Sequence, residues 1–103
     1  MLGQITPQRI RLSYKDAEGF VIPLGNTSLV FAVTESGLIA NDIIDIEALE
    51  NFDYPAAQIG PAQGDIVDTL EELLEGEVKA ANLHAIQRRV EVGMPALEAL
   101  NRI

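Results

Sequence analysis

The chain has 103 residues, with sixteen Asp and Glu against seven Lys and Arg, and a formal net charge of −9 at pH 7. Neutralising phosphates needs clustered cations, so this balance argues against a nucleic-acid partner, and the lack of cysteine removes disulfides, thiolate metal sites and thiol nucleophiles. No stretch approaches the ~20 apolar residues of a membrane span, and the N-terminus has no basic segment followed by an apolar run, so no membrane partner and a cytoplasmic location are expected.

With 48% hydrophobic and 22% charged residues the composition is globular. A single domain over residues 1–103 is expected, large enough to bury a real core. The charge is unevenly spread: Asp16 to Glu77 carries fourteen carboxylates and no Lys, Arg or His. A segment this one-signed attracts cations or basic surfaces.

Residues 8–15 alternate, placing Ile10, Leu12 and Tyr14 on one face of a strand and Arg9, Arg11, Ser13 and Lys15 on the other. Asp16 to Gly19 reads as a turn and Phe20 to Leu24 as a second strand, with Pro23 at an edge or bulge because it cannot donate to a ladder. Gly25-Asn26 is a hairpin turn. The apolar run Leu29 to Val33 is the third strand, Glu35 to Gly37 a turn, and Leu38 to Ala40 the fourth strand. Asp45 then caps a short helix with Ile46, Leu49 and Phe52 inward, closed by Pro55.

Ala56 to Ile59 reads as a fifth strand and Gly60 to Gly64 as a loop. Thr69-Leu70-Glu71-Glu72 is a capping box that starts a helix with Leu70, Leu73 and Leu74 inward, and Gly76 ends it as a left-handed residue. A further helix is expected over Ala80 to Arg89 with Leu83, Ile86 and Val90 inward. Gly93 separates it from a last helix with Pro95 in its first turn and Leu97, Leu100 and Ile103 packed. Strands precede helices, so the fold class is α+β: an antiparallel meander in the N-terminal half, with short helices mainly in the C-terminal half on one face.

Three groups of residues in order, Gly37-Leu38-Ile39 leading to Asp45, Thr69 to Leu74, and Val92-Gly93-Met94 with Glu98-Ala99-Leu100, resemble the YunC-like family of small uncharacterised proteins over about residues 20–103. The resemblance implies a small α+β domain and supplies no reaction. Asn41 and Asp42 stand where many relatives carry Cys-Gly, and Asp68 stands where a basic residue often precedes the Thr. The loop around Pro61 to Gly64 is longer than in those relatives, and thiol chemistry is not open to this chain.

Asn41, Asp42 and Asp45 gather oxygen donors where the meander meets the first helix, which suits a small ligand or a hard divalent cation, with Asp42 and Asp45 as the metal ligands. Turn and cap chemistry explains Asn41 and Asp45 equally well. His84, the only imidazole, lies near Lys79, Arg88 and Arg89 and is a candidate for anion binding, as is any helix end with such residues. Gly60 to Gly64 lacks the Gly-Lys-Ser/Thr ending of a phosphate loop, and Asp65 and Asp68 would repel phosphate. No motif calls for a cofactor, and no feature requires catalysis. Two readings follow: a self-associating interaction module in which a basic segment of one copy meets the acidic middle of another, and a small-molecule or cation-binding domain around Asn41, Asp42 and Asp45.

Overall fold

The computed structural model describes residues 6–64 and 66–103. Strand β1 (Gln8–Arg11) runs antiparallel to β2 (Asp16–Leu24), which turns at Gly25-Asn26 into β3 (Thr27–Val33) and then β4 (Leu38–Ala40). Gly25 has φ 77°, as a two-residue hairpin turn with Gly at its first central position demands. Residues 41–55 carry helix α1 (Ile46–Glu50) and return the chain to β5 (Ala56–Gly60), parallel to β4, since a parallel neighbour needs a crossover rather than a hairpin. Helix α2 (Leu70–Leu74) leads to β6 (Glu77–Ala81), antiparallel to β5, and helices α3 (Leu83–Gln87) and α4 (Ala96–Arg102) follow. The six strands lie in the sheet in chain order.

The architecture is mixed α+β with a mostly antiparallel sheet, as the sequence implies. Its larger core lies on one face, where Val30, Ile39, Ile59 and Val78 meet Leu70 and Leu73 of α2, Ala85 beside Val90, and Ala96, Ala99, Leu100 and Ile103. On the opposite face Leu38, Ala40 and Ala56 meet Ile46 and Leu49 of α1. The C-terminal helices therefore share one face, and α1 covers part of the other.

Several local expectations are corrected. The first strand leaves the ladder at Arg11, and the turn falls at Leu12 to Lys15, closed by the Leu12 amide donating to the Lys15 carbonyl at 2.8 Å. Tyr14 is consequently 97% exposed instead of inward. Asp16 to Gly19 is strand, and Gly19 is there for space: a Cβ on it would lie 2.5 Å from Leu70 Cδ2. Pro23 sits within β2, beyond the last β1 pairing at Gly19 among the described residues, so its missing N–H costs none of the described β1–β2 bonds.

The helix expected over Ala80 to Arg89 is instead the end of β6, the cap Asn82 and the short α3. Ala85 and Val90 face inward, whereas Leu83 and Ile86 are 50% and 55% exposed. Phe52 and Leu97 also point outward. Gly76 is not left-handed; it is required because a Cβ would lie 2.5 Å from the Gly60 carbonyl oxygen. The cap of α1 by Asp45 and the capping box of α2 stand as read, and Gly93, the residue between the last two helices, has φ 96°.

Candidate functional site

The four residues singled out by sequence have different fates. Asn41 is buried, and its side chain is fully occupied by backbone: Nδ2 donates to the Ser28 and Val67 carbonyls at 2.8 and 3.1 Å, and Oδ1 accepts from the Val30 amide at 3.3 Å. Asp45 accepts from the Glu47 and Ala48 amides at 3.0 and 3.1 Å, a capping duty that uses one of its oxygens. His84 lies on α3 with Nε2 3.3 Å from an Asp53 oxygen and does not line the cleft that Asp42 lines. Only Asp42 remains exposed and free of such work at the mouth of a cleft. Among the described residues no three His, Asp or Glu side chains converge as a metal site would require. Asp65, read as repelling phosphate, lies outside the described residues.

The cleft holds about 260 Å³ between the end of β4, β5, β6 and the segment after β5. Asn41, Asp42, Gln58 and Lys79 supply its polar side chains, the Asn41 amide already bonded to backbone, and Ile59, Pro61, Ile66 and Val67 its apolar ones. Gln58 is fixed by donating from Nε2 to the Ile44 carbonyl at 3.1 Å. Lys79 gets there through an irregularity in the ladder. Gln58 pairs with Ala80 and Ile59 with Val78, so Lys79 is the extra residue of a β-bulge, a device that re-aims a side chain. Its stem lies against Gly60, where a Cβ would come within 2.7 Å of Lys79 Cγ and Cε. Lys79 Nζ donates to Glu77 at 2.9 Å and keeps two further N–H donors.

A second feature lies on the α1 side of the sheet. Strand alternation and the register Phe20↔Phe31, Ile22↔Leu29 put Phe20, Ile22, Leu24, Leu29 and Phe31 on one face of the β2–β3 hairpin. The two Phe rings stack with centroids 5.0 Å apart, and Leu24 is 46% exposed. Helix α1 lies over β4 and β5 and its apolar cluster takes in only Phe31 at the margin of this area. On its β1 flank Arg9 and Arg11 stand opposite Glu18 and Asp16. The basic strand thus has two acidic cross-strand neighbours within one subunit.

The family described as DUF1805, a domain of unknown function, matches residues 43–103, more than half of the chain. The chain belongs to this family. That agrees with the uncharacterised family of small domains implied by the sequence resemblance. The crystal structure of TA1206 from Thermoplasma acidophilum, a protein of unknown function, superposes with a TM-score of 0.82 over 99% of this chain and 96% of that one, at 20% identity. At that identity the likeness is one of fold. A comparison with curated proteins gives no match. No helix described in the DUF1805 chain is long and apolar enough to cross a membrane.

Sequence reading of this DUF1805 chain missed Gln58, and named Lys79 only beside His84 at a helix end, not as a partner of Asn41 and Asp42 in the cleft. The spacing of Leu83, Ile86 and Val90 predicts a helix from Ala80 onward and leaves Lys79 just outside it. The available signal was the alternation of Val78 with Lys79, too short to outweigh that spacing. Gln58 stands out only as the one polar residue in Ala56 to Ile59.

Proposed function

We propose that this domain is an oligomerisation module that pairs with a second copy of itself through the open face of the β2–β3 hairpin. One observation carries the reading: Phe20, Ile22, Leu24 and Leu29 are contiguous in register and lie beyond the α1 cluster that Phe31 joins, with Leu24 exposed and the other three half-buried. Burying such a surface is the main favourable term in association.

Shape admits a second copy as the occupant, and the local charges set its orientation. Facing sheets pack about 10 Å apart, close to the thickness of a helix, so a partner sheet can lie on the hairpin level with α1. A two-fold axis in the interface, parallel to the strands, brings the Arg9–Arg11 flank of each copy toward the α1 shoulder of the other. That shoulder carries the exposed Asp45 and Glu47. An axis across the strands would set Arg against Arg. Complementary charge of this kind selects orientation more than it adds affinity.

The test is sedimentation equilibrium on the wild type and Ile22→Glu at about 100 μM, where an interface of micromolar affinity is well populated. A wild-type dimer and a monomeric, normally folded Ile22→Glu support the reading. A wild-type monomer, or an Ile22→Glu dimer, overturns it.

A further inference from the structure

The geometry points to a second site, independent of self-association: the cleft between Asp42 and Lys79 binds a free α-amino acid with an aliphatic side chain. Three observations converge on it. The β-bulge takes Lys79 out of the regular ladder and into the cleft wall. Glycine at position 60 leaves the room its stem occupies, since a Cβ there would collide with Lys79 Cγ and Cε at 2.7 Å. Asp42 lines the same cleft, and among the described residues neither an ion pair nor a hydrogen bond occupies its carboxylate.

Opposite charges in one cleft that do not pair with each other suit a ligand carrying both. Lys79 Nζ spends one donor on Glu77 and has two left for a carboxylate. Asp42 accepts from an ammonium. The Gln58 amide, anchored on the Ile44 carbonyl, offers its oxygen as a further acceptor. Ile59, Pro61, Ile66 and Val67 form the wall for an apolar side chain. The volume of about 260 Å³ lies just under the ~300–1,000 Å³ of drug-sized pockets, which matches a single amino acid better than a nucleotide or a peptide. A lone anion would leave Asp42 unanswered, and a lone cation would leave the two remaining Lys79 donors unused.

The experiment is calorimetric titration of the full chain with L-leucine, L-isoleucine, L-valine and L-methionine, alongside leucinamide, which lacks the carboxylate, and 4-methylpentanoate, which lacks the ammonium. At least one amino acid binds, and the two truncated analogues bind at least about tenfold more weakly, as losing a charge-assisted hydrogen bond implies. Asp42→Asn and Lys79→Met each reproduce that loss, while their thermal unfolding without ligand stays near the wild type because both positions are exposed. No heat and no thermal shift with any of the four amino acids at about 10 mM overturns the proposal, since a ligand of the native state must stabilise it. Leucinamide or 4-methylpentanoate binding as tightly as leucine overturns it too. So does unchanged leucine binding in both variants.

Discussion

Asn82 does more for this fold than any residue the sequence singles out. It is buried, and its four polar contacts tie three elements together: Oδ1 accepts from the Ala56 and Ala85 amides at 3.2 and 3.0 Å, and Nδ2 donates to the Ile46 and Tyr54 carbonyls at 3.0 and 2.8 Å. One amide side chain thereby starts β5, caps α3 and holds the first turn of α1. Asn82→Ala strands those partners in a region closed to water and should cost about 3 kcal/mol in urea unfolding. Asn82→Asp keeps the acceptor but loses both donors, so it should also destabilise. An Asn82→Asp variant as stable as the wild type would show that the donated bonds are dispensable. Asn41 plays a similar part between β3 and the segment before α2. It drew attention in the sequence as a possible ligand, whereas Asn82 did not. Nothing local separates a surface turn Asn from one that satisfies distant backbone, because the partners lie up to 36 positions away.

At the scale of elements, the parts legible in the sequence are those decided locally. The α2 capping box is complete: the Glu72 amide donates to Thr69 Oγ1 at 3.1 Å, and Glu72 Oε1 accepts from the Asp68 and Thr69 amides at 3.0 Å each. These bonds, the Asp68 amide first, hold the Glu72 carboxyl below its ordinary value of 4.5. A depressed carboxyl contributes stability that is present above its unfolded value and is lost as pH falls through the folded one. The stability gap between wild type and Glu72→Gln should therefore be full at neutral pH and close as pH drops below 4.5; a gap that persists into strong acid would refute this. Gly76 depends on tertiary contact instead. Gly76→Ala drives a Cβ onto the Gly60 carbonyl, which belongs to a ladder strand and cannot step aside, and should cost about 2 kcal/mol or more. Gly19→Ala meets the side-chain ends of Leu70 and Ile10 instead of backbone and should cost less. The ranking is checked by the two urea midpoints. β6 was illegible for the same reason, since Glu77 to Ala81 has helix-forming composition and becomes strand because Val78 is buried against the core and pairs with Ile59.

For the whole molecule, the net charge decides how self-association responds to salt. Two copies of charge −9 with centres about 26 Å apart, the shortest extent of the molecule, repel by about 13 kcal/mol in unscreened water. At ~0.15 M salt, with a screening length of ~8 Å, this falls to about 0.5 kcal/mol; at ~0.01 M, with ~30 Å, about 5 kcal/mol remains. Exposed pairs between the Arg9–Arg11 flank and a partner's Asp45 and Glu47 would return at most about 1 kcal/mol each. Repulsion therefore outweighs local attraction at low salt, and the apolar hairpin face must supply the affinity. The dimer constant measured by sedimentation should tighten at least about a hundredfold between ~0.01 M and ~0.15 M salt, and then level off as screening saturates. If association instead weakens steadily as salt is added, opposite charges across the interface hold the copies together, and the acidic stretch from Asp16 to Glu77 is itself the docking surface.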